Sequence, residues 1–180
     1  ANVTYSSLKM HDKCVLGLFS PTLSQALIEG RPEKLTIDIK GQEITYYSLP
    51  NDEALARLLS CLNESKSQVI LSLFTFTHPL IVEKLIQLHT QGINVRLYVD
   101  GYTARGASRK ACEQLIQAGV PIHVSKGPQL FHHKWALIDN KTLILGSANW
   151  TQAAFTKNCD YMLFLNPINE NQIKKFNYNH

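Results

Sequence analysis

Phe131-His132-His133-Lys134-Trp135-Ala136-Leu137-Ile138-Asp139 is followed, six residues on, by Gly146-Ser147-Ala148-Asn149-Trp150-Thr151. Residues 131–138 have the apolar density of a buried strand, and side chains two apart on a strand share a face. His132 and Lys134 are therefore expected to point together into one space, with His133 and Trp135 on the other side. Residues 139–142 have turn composition and 142–145 read as a returning strand, so the pair forms a β-hairpin. The return brings Gly146, Ser147 and Asn149 back beside His132.

These residue types suit chemistry on an anion. A nucleophile reaches a negatively charged centre only if the site first supplies cations and hydrogen-bond donors. Lys134 supplies a fixed charge, while Ser147 and Asn149 supply neutral donors. A histidine is both a neutral nucleophile and, when protonated, an acid for a leaving oxygen. His133, alone on the opposite face, is expected to be a satisfied core side chain. Asp139 is expected to be a turn residue as much as a chemical one.

The ordered set His-x-Lys-x4-Asp-x6-Gly-Ser-x-Asn resembles the signature of the phospholipase D superfamily, phosphodiesterases in which a histidine attacks phosphorus and the phosphohistidine is then hydrolysed. The resemblance implies catalytic roles for His132, Lys134, Ser147 and Asn149, with Asp139 orienting the motif. Downstream, Thr156-Lys157-Asn158-Cys159-Asp160 falls where small bacterial nucleases of the superfamily carry Asn-x-Glu. Asp160, one methylene shorter, is then expected to accept a hydrogen bond from the catalytic histidine; the alternative is a solvated acid at a strand start. Thr77 ends a stretch, Phe74-Thr75-Phe76-Thr77, that resembles the strand end lining the family's cleft. Arg105, Arg109 and Lys126 fall in or near loops that flank that cleft, either as contacts to a polyanion or as plain surface charges.

One motif copy is half of what in-line displacement requires, because nucleophile and leaving-group acid sit on opposite sides of phosphorus. In single-motif members of the superfamily the other half comes from an identical subunit, so a two-fold homodimer is expected; a longer two-motif enzyme is the alternative. The expected activity is that of a nuclease on DNA or RNA. Alternatives are a phospholipase D acting on phosphatidylcholine or cardiolipin, and an inactive module that only binds anionic ligands. No carboxylate cluster is available for a divalent ion, so neither a metal nor another cofactor is expected.

Charge agrees with an anionic substrate: residues 1–90 carry 8 basic and 9 acidic side chains, whereas residues 91–180, with the motif, carry 10 and 5. The composition, 44% hydrophobic and 18% charged, is that of a globular chain. No apolar run approaches the ~18 residues of a membrane span, so no transmembrane segment is expected. The sequence begins at Ala1, which suggests a removed upstream segment and leaves export or membrane association open. Cys14, Cys61, Cys112 and Cys159 are too scattered for a zinc or redox motif and read mostly as small buried hydrophobes.

Element order predicts an α/β fold, a mixed sheet between helices, of phospholipase D type. Residues 1–42 read as an N-terminal extension, with a helix at 21–30 and a strand at 34–40 that turns at 41–42, and 43–180 as the phosphodiesterase domain. Within the latter, strands are expected at 43–49, 68–77, 94–100, 120–124, 131–138, 142–145 and 159–165. Helices are expected at 52–65, 79–90, 106–118 and 168–178.

Overall fold

The computed structural model describes residues 32–176. The expected helix at 21–30, Cys14 and the ends 1–31 and 177–180 lie outside the described residues.

Eight strands form one mixed sheet: β1 (Lys34–Ile39), β2 (Gln42–Leu49), β3 (Gln68–Leu73), β4 (Asn94–Val99), β5 (Ile122–Val124), β6 (Lys134–Ile138), β7 (Thr142–Gly146) and β8 (Asp160–Asn166). Their spatial order is β1-β2-β8-β7-β6-β3-β4-β5. β3, β4 and β5 run parallel, and every other pairing is antiparallel. β1 is an edge strand of this same sheet. The β1–β2 turn falls at Lys40 and Gly41, both at positive φ, one residue earlier than the sequence suggested.

Helices α1 (Asp52–Asn63), α2 (Pro79–Thr90) and α4 (Arg109–Gln117) cover one face, with α5 (Gln152–Thr156) at its side. Their apolar stripes meet alternate strand residues such as Leu71, Leu97, Ala136 and Ile144. Leu58, Leu62 and Leu85 are fully buried there, and each such side chain contributes about 1.5–3 kcal/mol of transfer free energy. Asn51 caps α1 by accepting the Glu53 amide at 2.9 Å, and Pro79 opens α2, where its missing N–H costs nothing. The opposite alternation, with Tyr46, Ile70, Trp135, Leu137 and Leu163, makes a second cluster. α6 (Glu170–Phe176) covers it, with the Phe176 ring edge-on to Trp135 at 5.0 Å.

Several expected boundaries move. The strand expected from 131 begins at Lys134, and the one expected to reach 77 stops at Leu73. Residues 101–104, read as loop, form a single turn, α3 (Gly101–Ala104), and α5 was not anticipated. Cys61 and Cys112 are free thiols. Among the described cysteines Cys112 is buried, with its pKa pushed up to about 11 by burial and then by neighbouring Glu113, Cys61 is half-buried and Cys159 is exposed.

Because β6 runs antiparallel to β3, its N-terminal end lies with the C-terminal ends of β3, β4 and β5. The end of β7 and the start of β8 reach the same edge of the sheet. The motif's two ends therefore lie at opposite edges, His132 at this one and Asp139 at the other.

Candidate active site at one edge of the sheet

His132 and Lys134 do share a side. The Lys134 ammonium lies 2.9 Å from His132 Nδ1 and 3.2 Å from Nε2, and donates to the His132 carbonyl at 3.3 Å. Lys134 is buried, at 9% exposure, whereas His132 is exposed. An ammonium has only donors, and with both ring nitrogens within 3.2 Å, which of them faces it as acceptor follows the tautomer. Phe74 backs both groups: its ring centre is 4.5 Å from that of His132 and 5.5 Å from Lys134 Nζ. A cation over an aromatic face is itself favourable.

His133 takes the opposite side. Its Nδ1 meets Ser72 Oγ at 2.9 Å and its ring lies 4.2 Å from that of Phe131. It is satisfied as expected but exposed, not a core residue. Desolvation first, then the charges of Lys134 and His132, hold its pKa below the ordinary histidine value.

The return strand reaches the same edge through a close approach. A Cβ on Gly146 would lie 2.3 Å from the Tyr161 carbonyl, so only glycine lets β7 pass β8 there. Ser147 follows directly: its hydroxyl accepts the Tyr161 amide at 3.0 Å and donates to Asp160 Oδ1 at 2.8 Å. Ser147 was expected to donate to a substrate, but its one proton is committed to Asp160. Serine and acid together pin the loop. The Asn149 amide oxygen is buried without a hydrogen-bond partner among the described residues. Such a group costs about 1–3 kcal/mol, and a half-turn of the amide would offer an NH₂ to an anion instead. Thr77, partly buried, is held through its backbone, whose N–H donates to the Trp150 carbonyl at 3.1 Å; the Trp150 amide donates to Thr75 at the same distance.

Asp139 stands at the other end of β6, where its carboxylate accepts the amides of Lys66, Ser67 and Gln68 at 2.9–3.0 Å and the Ser67 hydroxyl at 2.8 Å. Burial alone would raise its pKa, but these donors outweigh it and hold the carboxyl below its usual range. Asp139 therefore braces the start of β3. Five residues of strand, about 16 Å, separate it from Lys134.

Of the three rim cations, Arg105 follows α3 and Lys126 lies in the loop after β5, two segments joined where the Gly101 amide donates to Ser125 Oγ at 2.9 Å. Both cations are exposed. Arg109 turns along its own helix to Glu113, 3.9 Å away, in an exposed pair that holds it only weakly. His78 went unnoticed in the sequence: it is buried, caps α2 by accepting the Leu80 amide at 3.3 Å, and has its pKa lowered by burial. Asp100, also unremarked, is buried beside the site; its aspartate-before-helix position was the available signal. Among the described residues, no group of three or more His, Cys, Asp or Glu is placed to hold a metal ion, and no helix is long and apolar enough to cross a membrane.

Fold and site together define an α/β protein with a histidine–lysine pair at one edge of a mixed sheet. The chain belongs to the phospholipase D superfamily: a family model described as "Cardiolipin synthase, PLD-like domain" matches residues 58–178. It is similar to the mitochondrial cardiolipin hydrolase of Mus musculus, 36% identical over 120 residues, which are 66% of this chain and 53% of that protein. The chain thus spans about half the length of the curated relatives it matches. Among solved structures it resembles Nuc, a phospholipase D family member from Salmonella typhimurium, with a TM-score of 0.70, 25% identity, and coverage of 75% of this chain and 89% of that one. NucT from Helicobacter pylori shares the fold, with a TM-score of 0.65 at 24% identity over 75% and 91% of the two chains.

Proposed function

We propose that this chain is a phosphodiesterase that works through a phosphohistidine on His132, with nucleic acid as its substrate. The observation that carries the reading is the buried Lys134 ammonium 2.9 Å from the ring nitrogen of an exposed His132. An arriving phosphate oxygen accepts a hydrogen bond from the Lys134 ammonium, which neutralises charge at phosphorus beside the attacking ring. His132 then forms the N–P bond while the P–O bond to the leaving group breaks. The leaving oxygen takes a proton from a second histidine on the far side of phosphorus. That histidine accepts a proton from water as the water attacks, and the N–P bond breaks.

The second histidine is the His132 of an identical copy, related by a two-fold axis that passes through the scissile phosphate. Lys134 and the two histidines supply the positive charge, so the reaction proceeds in the presence of a chelator. Asn149 contacts the phosphate, Ser147 and Asp160 hold its loop, and Arg105 and Lys126 follow the flanking phosphates. The motif half's excess of cations favours a polyanion over a single headgroup.

A phospholipid substrate is the second reading, and a specific observation favours it. Leu80, Tyr102, Val124 and Leu130 are 43–71% exposed; Leu80 and Tyr102 follow β3 and β4, Val124 ends β5 and Leu130 precedes β6, at the edge that carries His132. Apolar tips among cations suit an anionic bilayer surface. The experiment offers purified protein, with EDTA, single-stranded DNA, single-stranded RNA and cardiolipin vesicles. Cleavage of nucleic acid supports the first reading, headgroup release alone moves the substrate to lipid, and no turnover of any phosphodiester leaves a binding module.

A further inference from the structure

A closed circuit of hydrogen bonds surrounds His132, and it runs through a residue to which neither the motif nor the site chemistry gives a part. Asp100 is 1% exposed at the end of β4. Its Oδ1 accepts the amide of Phe131, the residue before His132, at 2.7 Å. Its Oδ2 accepts the Thr103 amide at 2.9 Å. The Thr103 hydroxyl donates to the Phe74 carbonyl at 2.6 Å, and the Phe74 amide donates to the carbonyl of His133, the residue after His132, at 2.8 Å. Phe74 is also the ring on which His132 rests, 4.5 Å between centres.

This circuit matters because residues 131–133 have left the sheet. β6 begins only at Lys134, so the nucleophile's own backbone lacks a regular ladder on either side. A segment without a ladder has low local stability. An attacking nitrogen must nevertheless be held to within a fraction of an ångström. Each carboxylate oxygen serves one wall of the gap: Oδ1 the loop that carries His132, Oδ2 the turn that fixes Phe74 behind it. A carboxylate is a stronger acceptor for two backbone amides than a neutral group would be.

We infer that Asp100 is the positioning residue for His132, holding the histidine's loop and its Phe74 support in register from a single carboxylate. The inference rests on the phosphodiesterase reading for its kinetic consequence but not for its structural one. Asp100→Asn is the sharpest variant. It keeps shape and one acceptor but turns an NH₂ toward either the Phe131 or the Thr103 amide, so one arm must break. Thr103→Val, which removes the hydroxyl on the Phe74 carbonyl at nearly constant volume, cuts the circuit elsewhere.

The test measures kcat and KM on the phosphodiester that wild type cleaves, together with the His132 ring resonances by ¹H–¹⁵N NMR, in both variants, with cooperative thermal unfolding as the check on folding. Asp100→Asn is expected to lower kcat by about 100-fold with KM within about twofold, and Thr103→Val to lower kcat by about tenfold, as misplacement of a reacting group does. In both the His132 ring signals shift. A folded Asp100→Asn protein with wild-type kcat and unshifted ring signals would overturn the inference. If Asp100→Asn does not fold, unshifted ring signals and wild-type kcat in Thr103→Val overturn it instead. Should wild type cleave no phosphodiester, the proposed function fails, while the ring resonances still decide whether Asp100 positions His132.

Discussion

The two ends of β6 are built from one short motif yet behave as different materials. At one edge His132 is exposed beside a buried lysine, with its backbone outside the sheet and an orphaned Asn149 oxygen nearby. At the other, Asp139 has its carboxylate filled by four donors from three consecutive residues. The first edge leaves the Asn149 oxygen unpartnered among the described residues, while at the second the carboxylate is filled. A contiguous motif is therefore not one site: the five-residue strand between its ends acts as a ruler, and its aspartate secures the scaffold from which histidine and lysine project.

The contrast can be broken most forcefully at the nucleophile. His132→Ala is expected to lower kcat by at least about 10³-fold, as loss of a covalent nucleophile does, whereas His133→Ala, which loses the Ser72 hydrogen bond and the Phe131 ring contact, stays within a few-fold. Steady-state rates for both decide it, and comparable losses would erase the assignment of faces. Lys134→Met keeps the buried stem but removes the charge; a drop of about 10²–10³-fold in kcat is expected, the scale for losing one donor that stabilises a developing charge. A rate near wild type would mean that the ammonium serves packing alone.

At the far edge the effects should be on stability. Asp139→Ala is expected to lower unfolding free energy by about 1–2 kcal/mol, the scale of a few partly exposed hydrogen bonds, with kcat within about twofold. Denaturant titration and kinetics on the same sample check it, and a kcat loss as deep as that of Lys134→Met would place Asp139 in the chemistry. The pH dependence has a definite sign. Because the folded-state pKa of Asp139 lies below its usual value, its contribution is complete above about pH 4 and is lost as pH falls through the folded value. The stability gap between wild type and Asp139→Ala should therefore close on acidification, and a gap that widened would contradict the hydrogen-bonded carboxylate.

The sequence reveals this layout unevenly, for physical reasons. Strands and helices with clear periodicity, such as Asn94–Val99 and Pro79–Thr90, stand where the pattern puts them, because burial on one or both faces demands it. The facing of His132 and Lys134 was legible for the same reason: their i, i+2 relation survives even though residues 131–133 leave the sheet. The carboxylates were less legible. That Asp160 meets Ser147, and Asp100 reaches across 31 residues to the Phe131 amide, depends on tertiary approach that no local pattern encodes.

The most direct measurement is cleavage of single-stranded DNA and RNA, in EDTA, by wild type, His132→Ala and His133→Ala side by side. The account predicts turnover by wild type and His133→Ala and none above background by His132→Ala. Activity abolished by EDTA, or lost equally in the two histidine variants, would contradict a phosphohistidine on His132.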